Sequence, residues 1–404
     1  MGLRNPVALA GVVGVGVPVL AAGLVAALTL DPGGNGLDPH TGSHTSTQSA
    51  PPAPPVPPTP PTPGKIVAEP DPVGFQPDSI NFVSADEGWV LGRMYPCTAE
   101  PCQQLRHTTD GGRTWQQVAL PAPLQPGATA IRGGNPAGAL HFADTRNGWA
   151  WIDHRLFSTH DGGKNWREVE LELDAEWAIS FSEDSVWIAG VPSGKDPEVW
   201  TSPLDSESWT RTTDIPNNVG GGPKPLAAVS AVGNRAWLVV YNRTQSGSRL
   251  VEGTWTTWQL PCGGNGPAGL HAFTERRLVA LCGRLGPADD GGATRLMTST
   301  DGGATFTETG QLAPTLTART ALIPADPAHL VAAIDDHLLT SADGGATWTT
   351  TYTAPDRNWN DFSGEFVTET TGFVILSRPG AKHYATMMLT TEDAGRTWTP
   401  VSFG

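Results

Sequence analysis

Basic residues are scarce in this chain of 404 residues: 25 Lys and Arg stand against 40 Asp and Glu, and the formal net charge is −15 at pH 7. Proteins that bind nucleic acid or anionic lipid through charge carry a basic patch, and this composition provides none. The composition therefore argues against nucleic acid as a partner. It also disfavours a long helical bundle, because the 48 Gly and 37 Pro would interrupt helices.

Motifs for catalysis and metal binding are also missing. The sequence has no Walker-type phosphate loop, no dinucleotide fingerprint after a strand, no HExxH and no Gly-x-Ser-x-Gly. Its four cysteines fall short of a four-cysteine zinc spacing. We therefore predict no metal site and no cofactor.

An uncharged run of 25 residues extends from Pro6 to Leu30. It is long enough to cross a bilayer, and one cation before it and acidic residues after it favour an outside location for the rest of the chain. A cleaved signal peptide is the alternative. Residues 1–30 are thus predicted to be a signal anchor or a signal peptide, which makes the protein single-pass in the cell membrane with its C-terminus outside, or secreted.

Residues 31–65 are predicted to form a disordered linker rich in proline. Nine of the thirteen residues from Pro51 to Pro63 are proline, which provides no backbone donor and no packed core. Such a segment is extended and acts as a stalk. It leads into a predicted domain over residues 66–404.

A short motif, Thr/Ser-x-Asp-Gly-Gly-x-Thr-Trp, recurs along this domain; we call it the box. Five good copies and two eroded copies end in aromatic residues at positions 115, 166, 209, 258, 306, 348 and 398. A second register of apolar pairs lies upstream of the boxes, and its members are Phe82/Trp89, Phe142/Trp149, Phe181/Trp187, Val229/Trp237, Ala272/Leu278, Ile323/Leu330 and Phe366/Phe373. Each register has seven members, so both predict seven repeat units.

Alternating stretches such as GWVLG and AWLVVY predict strands within each unit. A unit of about 47 residues with four short strands has the size of one propeller blade. The predicted fold is therefore all-β, a seven-bladed β-propeller with box turns, preceded by an N-terminal hydrophobic helix and the Pro-rich linker. The last box ends six residues before Gly404, so the seventh unit should be complete by itself.

The composition of the box suits a tight turn. An Asp can accept hydrogen bonds from backbone N–H groups of its own turn, and paired Gly residues adopt the positive φ that the corner requires. The closing Trp can fold back over the turn and bury its ring. We therefore expect the five box aspartates to be structural, and these are Asp110, Asp161, Asp301, Asp343 and Asp393.

These boxes resemble those of the BNR/Asp-box family, and the resemblance covers roughly residues 79–402. Members of that family include sialidases, xyloglucan-cleaving enzymes, sortilin-like receptors and seven-bladed photosystem II assembly factors. The count of seven and the Gly-Trp openings of the second strands look most like the last group. The resemblance implies that the boxes lie between the third and fourth strands of each blade, on the face opposite the functional one.

The functional face would then carry the loops between blades and those between second and third strands. Units one, five and seven have the longest predicted excursions there, over Gly92–Arg106, Gly283–Arg295 and Ser377–Met387. Trp359 lies outside both registers among polar residues, which makes it the best candidate for an exposed aromatic. The alternative is that it caps the rim or packs on a neighbour. The predicted ligand-binding residues are Arg132, Arg284, Arg357, Trp359, Asp361, Arg378 and Lys382.

The four cysteines are predicted to form two structural disulfides. Cys97 and Cys102 enclose four residues of one loop, and Cys262 and Cys282 would tie the end of unit four to unit five. Export makes both bonds plausible because disulfides persist in oxidising compartments.

The sequence favours a non-catalytic binding or scaffold protein that recognises a protein, peptide or glycan at the cell envelope. The alternative is a glycoside hydrolase of the sialidase-like class, which would need three arginines from different blades, a Tyr-Glu pair and an acidic Asp. The Phe/Tyr-Arg-Ile-Pro signature of sialidases is missing. Active sialidases also have six blades, whereas seven units are counted here.

Overall fold

The computed structural model describes residues 73–98, 102–121, 139–152, 155–171, 177–192, 195–216, 226–241, 245–262, 269–282, 294–312, 320–356, 359, 361–378 and 385–403. The predicted N-terminal helix over residues 1–30 and the linker over 31–65 lie outside these residues. Among the residues that are described, no helix is long and apolar enough to cross a membrane.

Twenty-eight strands form seven antiparallel sheets of four, and each sheet is built from consecutive strands. Blades 1 to 3 comprise β1 (Gly74–Phe82), β2 (Gly88–Tyr95), β3 (Gln103–Thr108), β4 (Gln116–Val118); β5 (Ala139–Phe142), β6 (Gly148–Ile152), β7 (Arg155–Thr159), β8 (Arg167–Val169); and β9 (Trp177–Phe181), β10 (Ser185–Gly190), β11 (Glu198–Pro203), β12 (Thr210–Thr212).

Blades 4 and 5 comprise β13 (Leu226–Val232), β14 (Arg235–Tyr241), β15 (Ser246–Val251), β16 (Thr254–Trp258); and β17 (Gly269–Ala272), β18 (Leu278–Cys282), β19 (Thr294–Ser299), β20 (Thr307–Leu312). Blades 6 and 7 comprise β21 (Thr320–Pro324), β22 (Leu330–Ile334), β23 (His337–Ser341), β24 (Thr349–Thr353); and β25 (Asp361–Phe366), β26 (Gly372–Arg378), β27 (Ala385–Thr391), β28 (Thr399–Pro400). The predicted all-β propeller of seven blades is confirmed, and the seventh blade is complete without a strand from elsewhere.

The antiparallel order of the strands separates two faces. Turns between first and second strands and between third and fourth strands lie on one face, which we call the box face. The remaining connections lie on the opposite, loop-rich face. The two kinds of turn on the box face are joined in blade 1, where Gly111 N donates to Asp86 O at 2.8 Å. The same bond recurs in four further blades, with the donors Gly162, Gly302, Gly344 and Ala394.

The box turn holds itself together as its composition predicts. The Oδ1 atom of Asp110 accepts from the backbone N–H of Thr114 at 2.8 Å and from the hydroxyl of Thr108 at 2.8 Å. Its Oδ2 atom accepts from the hydroxyl of Thr114 at 2.6 Å. Gly111 and Gly112 have φ angles of +72° and +83°, which is the left-handed region that the turn requires.

The two aromatic registers meet between blades. Trp89 of blade 1 stacks on Phe142 of blade 2 with ring centroids 3.8 Å apart, and Phe373 of blade 7 stacks on Phe82 of blade 1 at 3.6 Å. The indole N–H of Trp89 also donates to the box carbonyl of Gly162 in blade 2 at 3.1 Å. The second-strand aromatic of one blade thus packs on the first strand of the next blade.

The seam between blades 7 and 1 joins the two ends of the propeller. Its polar contacts include Thr386 N donating to Gln76 Oε1 at 2.9 Å and Arg106 Nη1 donating to Phe403 O at 2.6 Å. The ring of Phe403 lies 4.9 Å from that of Phe75 in blade 1. In each of several other junctions, an apolar residue a few positions beyond the closing aromatic is likewise buried near the next blade, and examples are Leu120, Ile215, Leu260 and Leu312.

The glycine before the second-strand aromatic has a steric role. A Cβ atom added at Gly148 would lie 2.5 Å from the ring of Phe142, and one added at Gly88 would lie 2.4 Å from the ring of Phe82. The aromatic ring that ends the first strand therefore lies directly over this glycine. The Gly-Trp opening allows the inter-blade stack to form.

We expect Gly148→Ala to lower the free energy of unfolding by about 1–3 kcal/mol, because the new methyl group must displace the ring of Phe142 from its stack. Chemical denaturation followed by tryptophan fluorescence measures the loss. Gly269→Ala in β17 is the control, since its added Cβ would find its nearest neighbour at 3.7 Å. Equal losses in the two variants would contradict the steric explanation.

At the seam, we expect Phe403→Ala to lower the free energy of unfolding by about 1–3 kcal/mol. The substitution removes the ring that contacts Phe75 and Trp115 but keeps the backbone carbonyl that Arg106 binds. Thermal denaturation compares it with Ser402→Ala, which changes the exposed neighbour. A Phe403→Ala protein as stable as the Ser402→Ala protein would show that the seam does not depend on this ring.

Candidate functional site

The loop-rich face has its longest second-to-third-strand connections in four blades, over residues 96–102, 191–197, 283–293 and 379–384. Long connections were expected in units one, five and seven, and the one in blade 3 was missed. The sequence distances combine strand and loop lengths. The connections of blades 1 and 3 have the same length, but β10 has six residues where β2 has eight. The sequence distance in blade 3 is therefore shorter, and its long connection was not recognised.

Most of the predicted ligand-binding residues lie outside the described residues, and these are Arg132, Arg284, Arg357 and Lys382. Asp361 begins β25, where its backbone is paired with Ser377. Only Trp359 and Arg378 have described side chains, so the ligand-binding role of the set stays a prediction.

Trp359 is not an exposed aromatic, and the alternative that it packs on a neighbour is confirmed. Its side chain is 8% exposed and packs between blades 6 and 7, against Phe362, Val374 and Leu376. The residue lies outside the two aromatic registers because it comes just before the first strand of blade 7. There it fills the space between two sheets, which its polar sequence neighbours do not reveal.

Arg378 lies at the loop-rich end of β26, and its Nη2 atom is 3.3 Å from Asp356 Oδ2. The backbone carbonyl of Asp356 in turn accepts from Trp359 N at 3.3 Å. The structure thus brings Arg378 and Trp359 together through a third residue, Asp356, that was not predicted. The Arg378 side chain is 20% exposed.

Other arginines near the loop-rich ends of their strands are also paired with carboxylates. Arg93 binds Asp78 with two hydrogen bonds of 3.0 Å, and the Asp78 side chain is 1% exposed. Burial raises the pKa of Asp78, while the charge and hydrogen bonds of Arg93 lower it. Three further pairs are Arg155–Glu168, Arg211–Glu198 and Arg295–Glu308.

Both predicted disulfides are formed. The Cys97–Cys102 bond closes the connection between β2 and β3, and the Cys262–Cys282 bond joins the end of blade 4 to β18 of blade 5. Both bonds fix backbone at the loop-rich face.

The box aspartates accept hydrogen bonds from their own turns. Hydrogen bonds from the Thr114 hydroxyl and backbone N–H lower the pKa of Asp110 to about 2, and those from Thr347 lower the pKa of Asp343 to about 2. These carboxylates are therefore ionised and bound within their own turns. Among the residues whose side chains are described, no group of three or more His, Cys, Asp or Glu could hold a metal ion.

A polar register on the innermost strands was missed by the sequence reading. Its side chains accept hydrogen bonds from the backbone N–H of the next blade, as Ser180 does from Ala231 N at 3.0 Å and Ser230 does from Ala272 N at 3.2 Å. Asn81 does the same to Phe142 N. The signal was present, because a polar residue directly precedes the last residue of most first strands.

Glu365 is the ionisable member of this register and lies at the seam. Its Oε1 atom accepts from Phe82 N at 2.6 Å, and its Oε2 atom accepts from Asn81 Nδ2 at 2.9 Å. Burial raises the pKa of Glu365 to about 7 against the lowering effect of these two hydrogen bonds. Between about pH 4.5 and pH 7, the folded protein therefore holds a proton that the unfolded chain has lost.

Because the folded state binds this proton and the unfolded chain does not, we expect the free energy of unfolding of the wild type to fall as the pH rises from 4.5 to 7. Glu365→Gln removes the titration. The free energy of unfolding of the variant minus that of the wild type should therefore increase by up to about 3 kcal/mol as the pH rises across this window. Denaturant titrations at several pH values measure the difference. Glu369→Gln, at an exposed position of the same blade, is the control. Parallel pH profiles for Glu365→Gln and wild type would contradict a buried titrating carboxyl.

No protein-family model matches the sequence, and no curated protein matches it. Membership of the BNR/Asp-box family therefore stays a prediction. The fold is similar to that of YCF48 from Cyanidioschyzon merolae, with a TM-score of 0.51, 16% identity, and coverage of 80% of this chain and 97% of that chain. It is also similar to YCF48 bound to D1 peptide, with a TM-score of 0.50, 17% identity, and coverage of 80% and 94%.

A polysaccharide lyase, ulvan lyase of family PL25, has a similar structure as well. Its TM-score is 0.50 and its identity 10%, over 82% of this chain and 97% of that chain. At such identities the similarity shows the fold alone. This fold carries a peptide in one of these proteins and a glycan-cleaving activity in another.

Proposed function

We propose that this protein is a non-catalytic binding or scaffold protein whose loop-rich face recognises a peptide or a segment of another protein. The observation that carries the proposal is the charge pairing at that face. Five arginines near the loop-rich ends of their strands each lie within ion-pair distance of a carboxylate. Such a surface is polar but already charge-compensated.

This pairing counts against an anion clamp. A sialidase binds its substrate carboxylate with several arginines, and each must be free to form bidentate hydrogen bonds. Here the described guanidiniums of Arg93, Arg211 and Arg378 already have carboxylate partners. Compensated pairs instead suit a polar, overall uncharged ligand such as a peptide backbone.

The structural difference between the two faces supports the same proposal. The box face repeats one self-contained turn, whereas the loop-rich face carries connections that differ in length from blade to blade. Binding residues are commonly found on variable loops that a rigid scaffold holds in place. The Cys97–Cys102 disulfide braces the connection between β2 and β3, and the Cys262–Cys282 disulfide braces the backbone between blades 4 and 5. The YCF48 structure with a bound D1 peptide is consistent with a peptide ligand for this fold.

We place this function outside the cytoplasm, at the cell membrane or after secretion. The uncharged N-terminal run and the two disulfides support this location. A glycan ligand and a sialidase-like glycosidase are the alternatives, and the similarity to ulvan lyase keeps glycan chemistry open for this fold.

The test selects ligands from a displayed library of linear peptides with the purified full chain. We expect enriched peptides, and we expect Arg378→Ala to weaken the binding of the best peptide by about tenfold or more, because a charged residue at the centre of a small interface contributes strongly. Fluorescence anisotropy with a labelled peptide measures the affinity. Arg276→Ala, at an exposed position on the box face, should leave it unchanged.

Two results would contradict the proposed function. Hydrolysis of fluorogenic sialosides or other glycosides by the full chain, lost on Asp361→Asn, would replace the binding function with the glycosidase alternative. Peptide binding that is weakened equally by Arg276→Ala and Arg378→Ala would move the site away from the loop-rich face.

A further inference from the structure

Within the part of the chain that the structure describes, the outer strand of each blade pairs with one strand only, and its other edge has no strand partner there. Such an edge offers free N–H and C=O groups to other chains, and proteins protect it with short strands, charges, prolines or bulges. Three outer strands, β4, β8 and β12, have only three residues, and β28 has two including Pro400. The longer strands β20 and β24 are interrupted by register shifts opposite Leu296/Met297 and Leu338/Leu339.

The outer strand of blade 4, β16, has none of these protections. It comprises five residues, Thr254–Trp258, without a charge or a proline, and its register with β15 is regular throughout. Thr254, Thr256 and Thr257 are exposed. Among the described residues, β15 is its sole strand partner.

The hairpin turn before β16 fixes which backbone groups point outward. Glu252 and Gly253 have φ angles of 51° and 76°, as in a two-residue type I′ turn. The closing pair of such a turn, here Val251 and Thr254, is hydrogen-bonded, and bonded positions alternate along the strand. The backbone groups of Trp255 and Thr257 therefore point away from β15, toward the free edge.

The two tryptophans of β16 hold it rigid from both sides. Trp255 is 9% exposed and packs in the cluster shared with blade 3. Trp258 is 4% exposed, and its indole N–H donates to Gly303 O of blade 5 at 2.7 Å. An edge that is already ordered loses little conformational entropy when another strand pairs with it.

We propose that β16 is a pairing edge through which two copies of this chain join, with their β16 strands antiparallel. One register uses all of the outward groups: Trp255 of each copy pairs with Thr257 of the other, and Thr256 faces Thr256 across the two-fold axis. This register exchanges about four backbone hydrogen bonds. The sheets of the two fourth blades become one sheet.

The side chains of β16 suit a second copy. All of its opposing pairs in this register are uncharged, and they are Thr with Thr or Thr with Trp, which are favourable cross-strand neighbours. No like charges meet across the axis, although each chain carries a net charge of −15. Because β16 runs from the box face to the loop-rich face, antiparallel pairing points the two loop-rich faces in opposite directions.

A new cysteine at the two-fold axis tests this register. All four native cysteines are in disulfides, so Thr256→Cys adds one free thiol per full-length chain. The Cα atoms of a non-hydrogen-bonded antiparallel pair are about 4.5 Å apart, which a disulfide can span. We expect mild oxidation to give a covalent dimer of twice 42.4 kDa on a non-reducing gel, and dithiothreitol to reverse it.

Thr254→Cys is the matched control, because it lies on the same strand and the same side and is equally exposed. In the proposed register its two thiols are four residues apart along the paired strands, about 13 Å. Thr256→Cys should therefore form the dimer at least about tenfold faster. Adding Thr257→Pro removes an outward N–H and should reduce the rate to that of the control, with the fold checked by tryptophan fluorescence.

Equal rates for Thr256→Cys and Thr254→Cys would overturn the proposal, because random collision would explain them. A rate that Thr257→Pro leaves unchanged in a folded protein would overturn it as well, and so would a thiol that forms adducts only with other proteins. These outcomes are independent of peptide binding at the loop-rich face.

Discussion

The contact between neighbouring blades is the constraint on which the rest of this structure depends. A four-stranded sheet cannot bury both of its faces, so each blade needs a neighbour on either side. In the junctions between blades 1 and 2 and between blades 7 and 1, an aromatic residue of one second strand stacks on the ring that ends the first strand of the next blade. Blades 5 and 6 have Leu278 and Leu330 at this position instead. Where the residue at this position is Trp89 or Trp237, its N–H also binds the box turn of the next blade. The box is therefore part of the junction as well as a corner of its own sheet.

Closure of the ring requires the junction of blades 7 and 1 to match the others, although these two blades are not consecutive in the sequence. The described strands of blades 7 and 1 are not exchanged between the two sheets, so side chains provide much of the contact at the seam. The aromatic stack of Phe82 on Phe373 repeats the contact of the other junctions. The inner polar register continues across it, but with Glu365 where blades 3 and 4 have serine. A carboxylate bonds two donors at once, and its burial makes this junction sensitive to protonation.

The sequence predicted what is local and repeated. The box turns, the strand count and the Cys97–Cys102 bond each depend on residues close together in the chain, so spacing was sufficient. The burial of Trp359 was not predictable in this way, because it results from the space between two sheets. The partner of Arg378 was missed for the same reason, since Asp356 comes from the connection between blades. Such side-chain contacts between blades need the register of both, which spacing within one unit does not contain. The Cys262–Cys282 bond also joins two blades, but it was predictable because the chain has only four cysteines.

The same repeat that makes the fold predictable limits where a ligand-specific site can arise. At the box face, the aspartates accept hydrogen bonds from their own turns, so a change there costs stability. At the loop-rich face, the connections begin and end on fixed strands but differ in length and composition. The described arginines Arg93, Arg211 and Arg378 at that face are each paired with a carboxylate. For the peptide-binding function that we propose, we expect specificity to come from hydrogen bonding and shape at the connecting loops.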